Sequence, residues 1–146
     1  MTPVGGKELQ QHLKHMSKET VKKIKQETYA SGLDVQKKAR ANLKDMKAWD
    51  TGHLATTILV DRSDGGSCVD IGPTAPYGPY VEWGTKKHFP PMDALEDWAR
   101  RHGFDSAWPI CKAIAERGTP AQPYLLPAYL AVEAQYFFRL KGLLTA

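Results

Sequence analysis

Ala75-Pro76-Tyr77-Gly78-Pro79-Tyr80-Val81-Glu82-Trp83-Gly84-Thr85 sets three aromatic rings, two prolines and two glycines around one carboxylate. Proline fixes φ, glycine permits conformations closed to other residues, and rings of this size seek cover. The stretch therefore reads as a rigid corner holding a single acid. Two other segments belong with it: Asp50-Thr51-Gly52 upstream, and Ala121-Gln122-Pro123-Tyr124-Leu125 downstream.

Working outward, residues 5–47 read as a helical region. Leu9, Leu13, Met16, Thr20, Ile24 and Thr28 recur at three- and four-residue steps, and Leu33, Val35, Ala39, Leu43 and Met46 resume the stripe with a shifted phase. Ser31-Gly32 marks the point where one long helix bends or two helices meet. Asp50 or Thr51 and Gly52 make a turn, His53–Arg62 reads as a strand, Asp64-Gly65-Gly66 as a hairpin turn, and Ser67–Gly72 as the returning strand. Beyond the corner, residues 86–118 form a helical insertion. Its helices are expected over Ala94–His102, capped by Asp93, and Ala107–Arg117, capped by Asp105 or Ser106. Leu125–Leu143 completes the chain as a helix with an apolar face of Leu126, Leu130, Phe137, Leu140 and Leu144. Glu82-Trp83-Gly84-Thr85 and Glu116-Arg117-Gly118-Thr119 repeat the pattern Glu-x-Gly-Thr, two similar stops that bound the insertion.

The chain has 146 residues, the size of one domain, with a formal net charge of +4. The charge is unevenly spread. Residues 7–47 carry eleven Lys/Arg against five Asp/Glu, net +6, and the remainder carries nine against eleven, net −2. No apolar run approaches the roughly 18–20 residues that span a bilayer, and no signal-peptide pattern is visible, so intracellular folding and no membrane contact are expected. Cys68 and Cys111 are the only cysteines and form neither a disulfide framework nor a zinc site.

Catalytic motifs are missing from the sequence. His12, His15, His53, His88 and His102 are scattered, without metal-ligand spacing. There is no nucleophile elbow, phosphate loop or dinucleotide fingerprint. Glu82 is the one acid in an apolar setting. A hydrolase reading would pair it with His88, but nothing nominates a second carboxylate. The expected role for Glu82 is structural: accepting backbone or hydroxyl hydrogen bonds, with the amides near Gly52 or Gly84 as candidates. No catalytic, metal or cofactor-binding residue is assigned. Lys14, Lys18, Lys22 and Lys25 step along the first helix as a cationic face fit for DNA phosphates or an acidic protein partner. A small non-specific DNA-binding protein is accordingly the alternative reading.

Asp50-Thr51-Gly52-His53-Leu54, Tyr77-Gly78-Pro79-Tyr80-Val81-Glu82-Trp83-Gly84-Thr85 and Gln122-Pro123-Tyr124-Leu125-Leu126-Pro127-Ala128, in this order, resemble the tail-completion or head–tail joining proteins of long-tailed phages, the gene-product-ten-like family. His53, Thr57 and Tyr124 replace a basic residue, a Ser and a Phe usual there, and the 86–118 insertion is longer than in compact members. The resemblance implies one domain over 1–146 with an α+β fold: a small twisted, mainly antiparallel sheet flanked by a long N-terminal helix and a C-terminal helix, with a short helical insertion. It implies a structural virion protein and no enzyme. Such a protein assembles in the host cytoplasm, completes the tail as a subunit of a hexameric ring, and joins it to the head connector while DNA passes through. Head-connector or adaptor proteins and tail tube proteins are the implied partners, with no cofactor. Asp50, Thr51, Gly52, Tyr77, Tyr80, Glu82, Trp83, Gly84, Thr85, Gln122, Pro123 and Tyr124 are the implied corner and interface residues. Tyr77, Tyr80, Trp83 and Tyr124 are expected in the core or at subunit contacts.

Overall fold

A computed structural model describes residues 17–46 and 50–145, with residues 11 and 14. The apolar positions expected at Leu9, Leu13 and Met16, His12, His15 and both ends of the helical region expected over residues 5–47 lie outside the described residues. The first described helix, α1, runs Lys18–Asp45, and the Ser17 side chain caps it by accepting from the Thr20 amide. Ile24, Val35, Ala39 and Leu43 are buried along it, whereas Leu33, expected in that stripe, is exposed.

Ser31-Gly32 neither divides α1 nor ends it. Both residues are buried within the helix. A Cβ on Gly32 would stand 2.8 Å from Val69 Cγ1 and 3.0 Å from Val60 Cγ1, so this glycine lets the hairpin lie directly on the helix backbone. Gly32→Leu is expected to lift the hairpin and cost about 2–3 kcal/mol by overpacking. Gly32→Ala should come out near neutral, because the close methyl offsets a gain of about 1 kcal/mol in helix propensity. Urea denaturation of both variants checks the contrast.

Residues expected as one strand from His53 divide in two. A short helix, α2, spans His53–Thr56, and strand β1 begins only at Ile58, running Ile58–Ser63. The cause is local side-chain bonding. The Thr56 and Thr57 hydroxyls donate back to the carbonyls of His53 and Leu54 at 2.7 Å each, which holds a turn against their β propensity. From α1, Arg40 Nε donates to the Ala55 carbonyl and Gln36 Nε2 to that of Ile58, so the carbonyls the turn exposes are not left unpaired.

After the Asp64–Gly66 turn, β2 (Cys68–Pro73) returns antiparallel, in register from Ile58↔Pro73 to Ser63↔Cys68. Lys25 Nζ donates to the Gly65 carbonyl, pinning the turn to α1. The inner face of the hairpin places Val60, Ile71 and Val69 toward α1, and Arg62 lies over the Tyr29 ring at 4.1 Å.

The corner folds as a six-residue helix, α3 (Gly78–Trp83), with Pro79 in its first turn. In the insertion, α4 spans Met92–Arg101 and α5 Trp108–Arg117. Neither receives its expected cap. α4 starts after Pro91 without a side-chain cap, and at α5 the Ala107 amide donates to Glu96 Oε1 reaching over from α4. Ala99, Ala107 and Cys111, with Met92, Leu95 and Ile110 against them, form a small cluster of their own.

The last helix, α6, runs Leu125–Thr145 and lies along α1. Val35, Ala39, Leu43, Ala55, Ile58, Tyr124, Ala128 and Val132 make the main core. The expected apolar face of α6 is largely the outward one: Leu126, Leu130, Phe137 and Leu144 are exposed, and the buried residues are the smaller Ala128 and Val132. Close approach of two helices selects small side chains at the contact. The α1–α6 seam is further joined by Arg139 to Glu27 and Asp34, and by Tyr136 to Thr28. The fold is thus α+β, with six α-helices among the described residues and one two-stranded antiparallel sheet. No described helix is long and apolar enough to cross a membrane.

Candidate functional site

The corner converges on the start of α6. Glu82 is buried, and its Oε2 accepts from the amides of Tyr124 (2.8 Å) and Leu125 (2.9 Å) while Oε1 accepts from that of Leu126 (2.9 Å). These are among the four amides that a helix N-terminus leaves without intrahelical partners. A carboxylate there also meets the positive end of the helix dipole. The acceptor role expected for Glu82 is present, but its donors come from the distant Gln122–Leu126 segment and not from Gly52 or Gly84. Nothing in the spacing of the sequence could have chosen between these donors.

Tyr124 fills the space beneath. Its ring is buried, its hydroxyl donates to the Gly78 carbonyl at 3.3 Å, and Asn42 Nδ2 donates to its carbonyl from α1. Burial, then the charge of Glu82 and then Tyr77, pushes its phenol up to about 12. An unfolded tyrosine ionises near 10. The stability held by the neutral phenol is therefore complete below pH ~10 and is lost as pH rises from there toward 12. Tyrosinate absorbance should show that the last of the six tyrosines to titrate in the folded protein does so near pH 12, and Tyr124→Phe should remove that last step.

Asp50 joins the corner from the other side. Arg101, which sequence reasoning missed, donates Nε to its Oδ1 (3.1 Å) and Nη2 to its Oδ2 (2.6 Å), tying the Asp50-Thr51-Gly52 turn to α4. That hydrogen-bonded guanidinium holds the Asp50 carboxyl below its ordinary value, and the Asp50 charge, after burial, helps to push the Tyr77 phenol up. The His53 amide approaches Thr51 Oγ1 at 3.4 Å, and the His53 and Tyr77 rings lie 6.5 Å apart. The Gln122 amide donates to the Val81 carbonyl at 2.8 Å, and Pro123 is exposed.

The Glu-x-Gly-Thr echo is a contact. Thr85 and Thr119 pair antiparallel through both backbone bonds, 3.0 and 3.2 Å, and through their hydroxyls at 2.9 Å. Gly84 and Gly118 precede them in matching conformations, φ 72, ψ −177 and φ 73, ψ −163, a region open essentially to glycine alone. The bridge closes the 86–118 insertion at its base.

The four aromatic residues of the motifs separate. Tyr124 enters the core, whereas Tyr77, Tyr80 and Trp83 are 42, 62 and 67 % exposed on the protomer. Lys14, Lys18 and Lys22 are exposed, and Lys25 is partly buried and engaged by the hairpin turn. Among the described residues, no group of three or more His, Cys, Asp and Glu is placed to hold a metal ion. The site as built holds a backbone angle and presents rings outward.

The family model of HK97-gp10-like proteins, a bacteriophage tail component, matches residues 7–84. The match takes in α1, the hairpin and Glu82, and stops where the insertion begins. No curated protein and no solved structure matches the chain.

Proposed function

The chain belongs to the HK97-gp10-like family of bacteriophage tail components, and we propose that it is a structural subunit of the phage neck that completes the tail and joins it to the head connector. As a single domain it would sit in a homo-oligomeric ring, with a hexamer the expected count, between connector and tail tube proteins while DNA passes through. Its action is geometric and not catalytic. The observation that carries this reading is the pairing of a buried anchor with an unburied surface. Glu82 and Tyr124 lock α3 onto α6, and the same short helix turns Tyr80 and Trp83 to solvent. Large rings held rigidly in the open are what a subunit contact uses, since their shape is set before binding. Asp50, Thr51, Gly52, Gly84, Thr85, Gln122 and Pro123 keep that surface at one angle.

The test is electron microscopy of particles assembled without the protein, with the mass of the purified chain in solution. Full heads beside finished, unjoined tails are expected. Normal virions, or heads without DNA, would overturn the reading.

A further inference from the structure

The outer face of the hairpin carries Leu59, Asp61 and Ser63 on β1 opposite Gly72, Asp70 and Cys68 on β2. The register sets Asp61 directly across from Asp70, and both are exposed. Like charges in that position oppose strand pairing. Among the described residues neither has an ion-pair partner. Leu59 beside them is 44 % exposed, and its cross-strand neighbour, Gly72, has no side chain to cover it. This face costs the isolated protomer stability and does nothing for its core.

A complementary surface stands on α1. Leu33 is 41 % exposed, and Lys37 and Lys44 follow it, both exposed. Leu33 and Lys37 are one turn apart, about 6 Å. Leu59 and Asp61 are two strand residues apart, about 7 Å. The two spacings match, and the signs of charge are opposite.

We infer that the outer hairpin face of one copy docks on the Leu33–Lys37–Lys44 stripe of a second copy, with Leu59 on Leu33 and the Asp61–Asp70 pair on Lys37. The inference rests on the ring-subunit reading and adds a second contact between neighbouring copies to the one offered by the Tyr80 and Trp83 rings. Because the two surfaces differ, the contact is heterologous: each copy offers a hairpin and a helix, and only a ring satisfies every one.

Charge exchange tests it, with the oligomer mass measured at low salt and circular dichroism confirming each fold. D61K/D70K and K37E/K44E are each expected to weaken association roughly a hundredfold or more, because like charges then face each other. The quadruple variant D61K/D70K/K37E/K44E should regain the wild-type mass, and so should an equimolar mixture of the two double variants, in which each chain supplies what the other lacks. Wild-type association should also weaken as salt rises. An oligomer unmoved by the double variants, or a quadruple variant that stays dissociated, overturns the contact and leaves the ring standing. A wild-type chain that remains monomeric, alone and on isolated tails, overturns ring and contact together. Loss of duplex-DNA retention by K37E/K44E with unchanged mass would assign the lysines to DNA and overturn the contact as well.

Discussion

Glu82→Ala is expected to destabilise the protein by about 3–5 kcal/mol, a large share of the 5–15 kcal/mol by which such domains are stable. The carboxylate accepts three backbone hydrogen bonds, all 2.8–2.9 Å, and bonds to a charged group are worth about 1.5–3 kcal/mol each. They do not add in full, because amides at the edge of the site will find water once the acid is gone. The Tyr124 amide is the most enclosed and keeps most of its penalty. Glu82→Gln is the sharper probe. It preserves volume but offers one acceptor oxygen, and its NH₂ group then faces a backbone donor. A loss of about 2–3 kcal/mol is expected, together with faster hydrogen exchange at residues 124–126. The readout is the urea midpoint at unchanged slope, since a local cap should leave the extent of unfolding as it was. A Gln variant within 0.5 kcal/mol of wild type would show that the acid does not anchor α6, and would remove the physical basis of the rigid corner.

What could be read from the chain, and what could not, divides along local and distant interactions. The hairpin at Asp64-Gly65-Gly66 and the helix stops at Gly103 and Gly118 are written in short-range chemistry, and the structure has them. The strand expected from His53, and the break that was one of two alternatives at Gly32, came from treating local propensity as decisive. His53–Thr57 has strand-forming residues, but threonine hydroxyls bonding back to carbonyls, with Arg40 and Gln36 from α1 taking the others, hold a turn. Gly32 looked like a breaker and is the floor under the hairpin. Leu126, Leu130 and Phe137 looked like core because they are large and periodic, yet the α6 residues buried on folding are Ala128 and Val132. Glu82 was legible as an acceptor from its apolar setting, and its donors were not. Arg101 was invisible as the partner of Asp50, because a surface pair 51 residues apart leaves no local trace.

Gly118→Ala is expected to open the base of the insertion and cost at least about 3 kcal/mol. Two terms act together. The backbone at φ 73, ψ −163 is a conformation that an L side chain reaches at about 1–3 kcal/mol of strain, and the added methyl would land on the Thr85 carbonyl oxygen. That oxygen is half of the Thr85–Thr119 bridge and cannot move without breaking it. Gly84→Ala meets the same obstacle from the other strand, its Cβ 2.5 Å from the Thr119 carbonyl oxygen and 2.7 Å from the Ala121 amide nitrogen. Gly103→Ala separates the terms: its φ of +81 is comparable, but nothing lies within 4 Å of the new methyl, so roughly 1 kcal/mol is expected there. The double variant G84A/G118A should lose clearly less than the sum of its singles, since a bridge broken once has nothing further to lose. With the bridge gone, the small cluster around Ala99, Ala107 and Cys111 and the Asp50–Arg101 pair still hold the insertion. Trypsin should then cut first after Lys86 and Lys87, exposed beside the bridge, while amides in α1 and the hairpin keep their protection. Additive losses, or cleavage that begins in α1, would mean that the two glycines do not act on one shared closure.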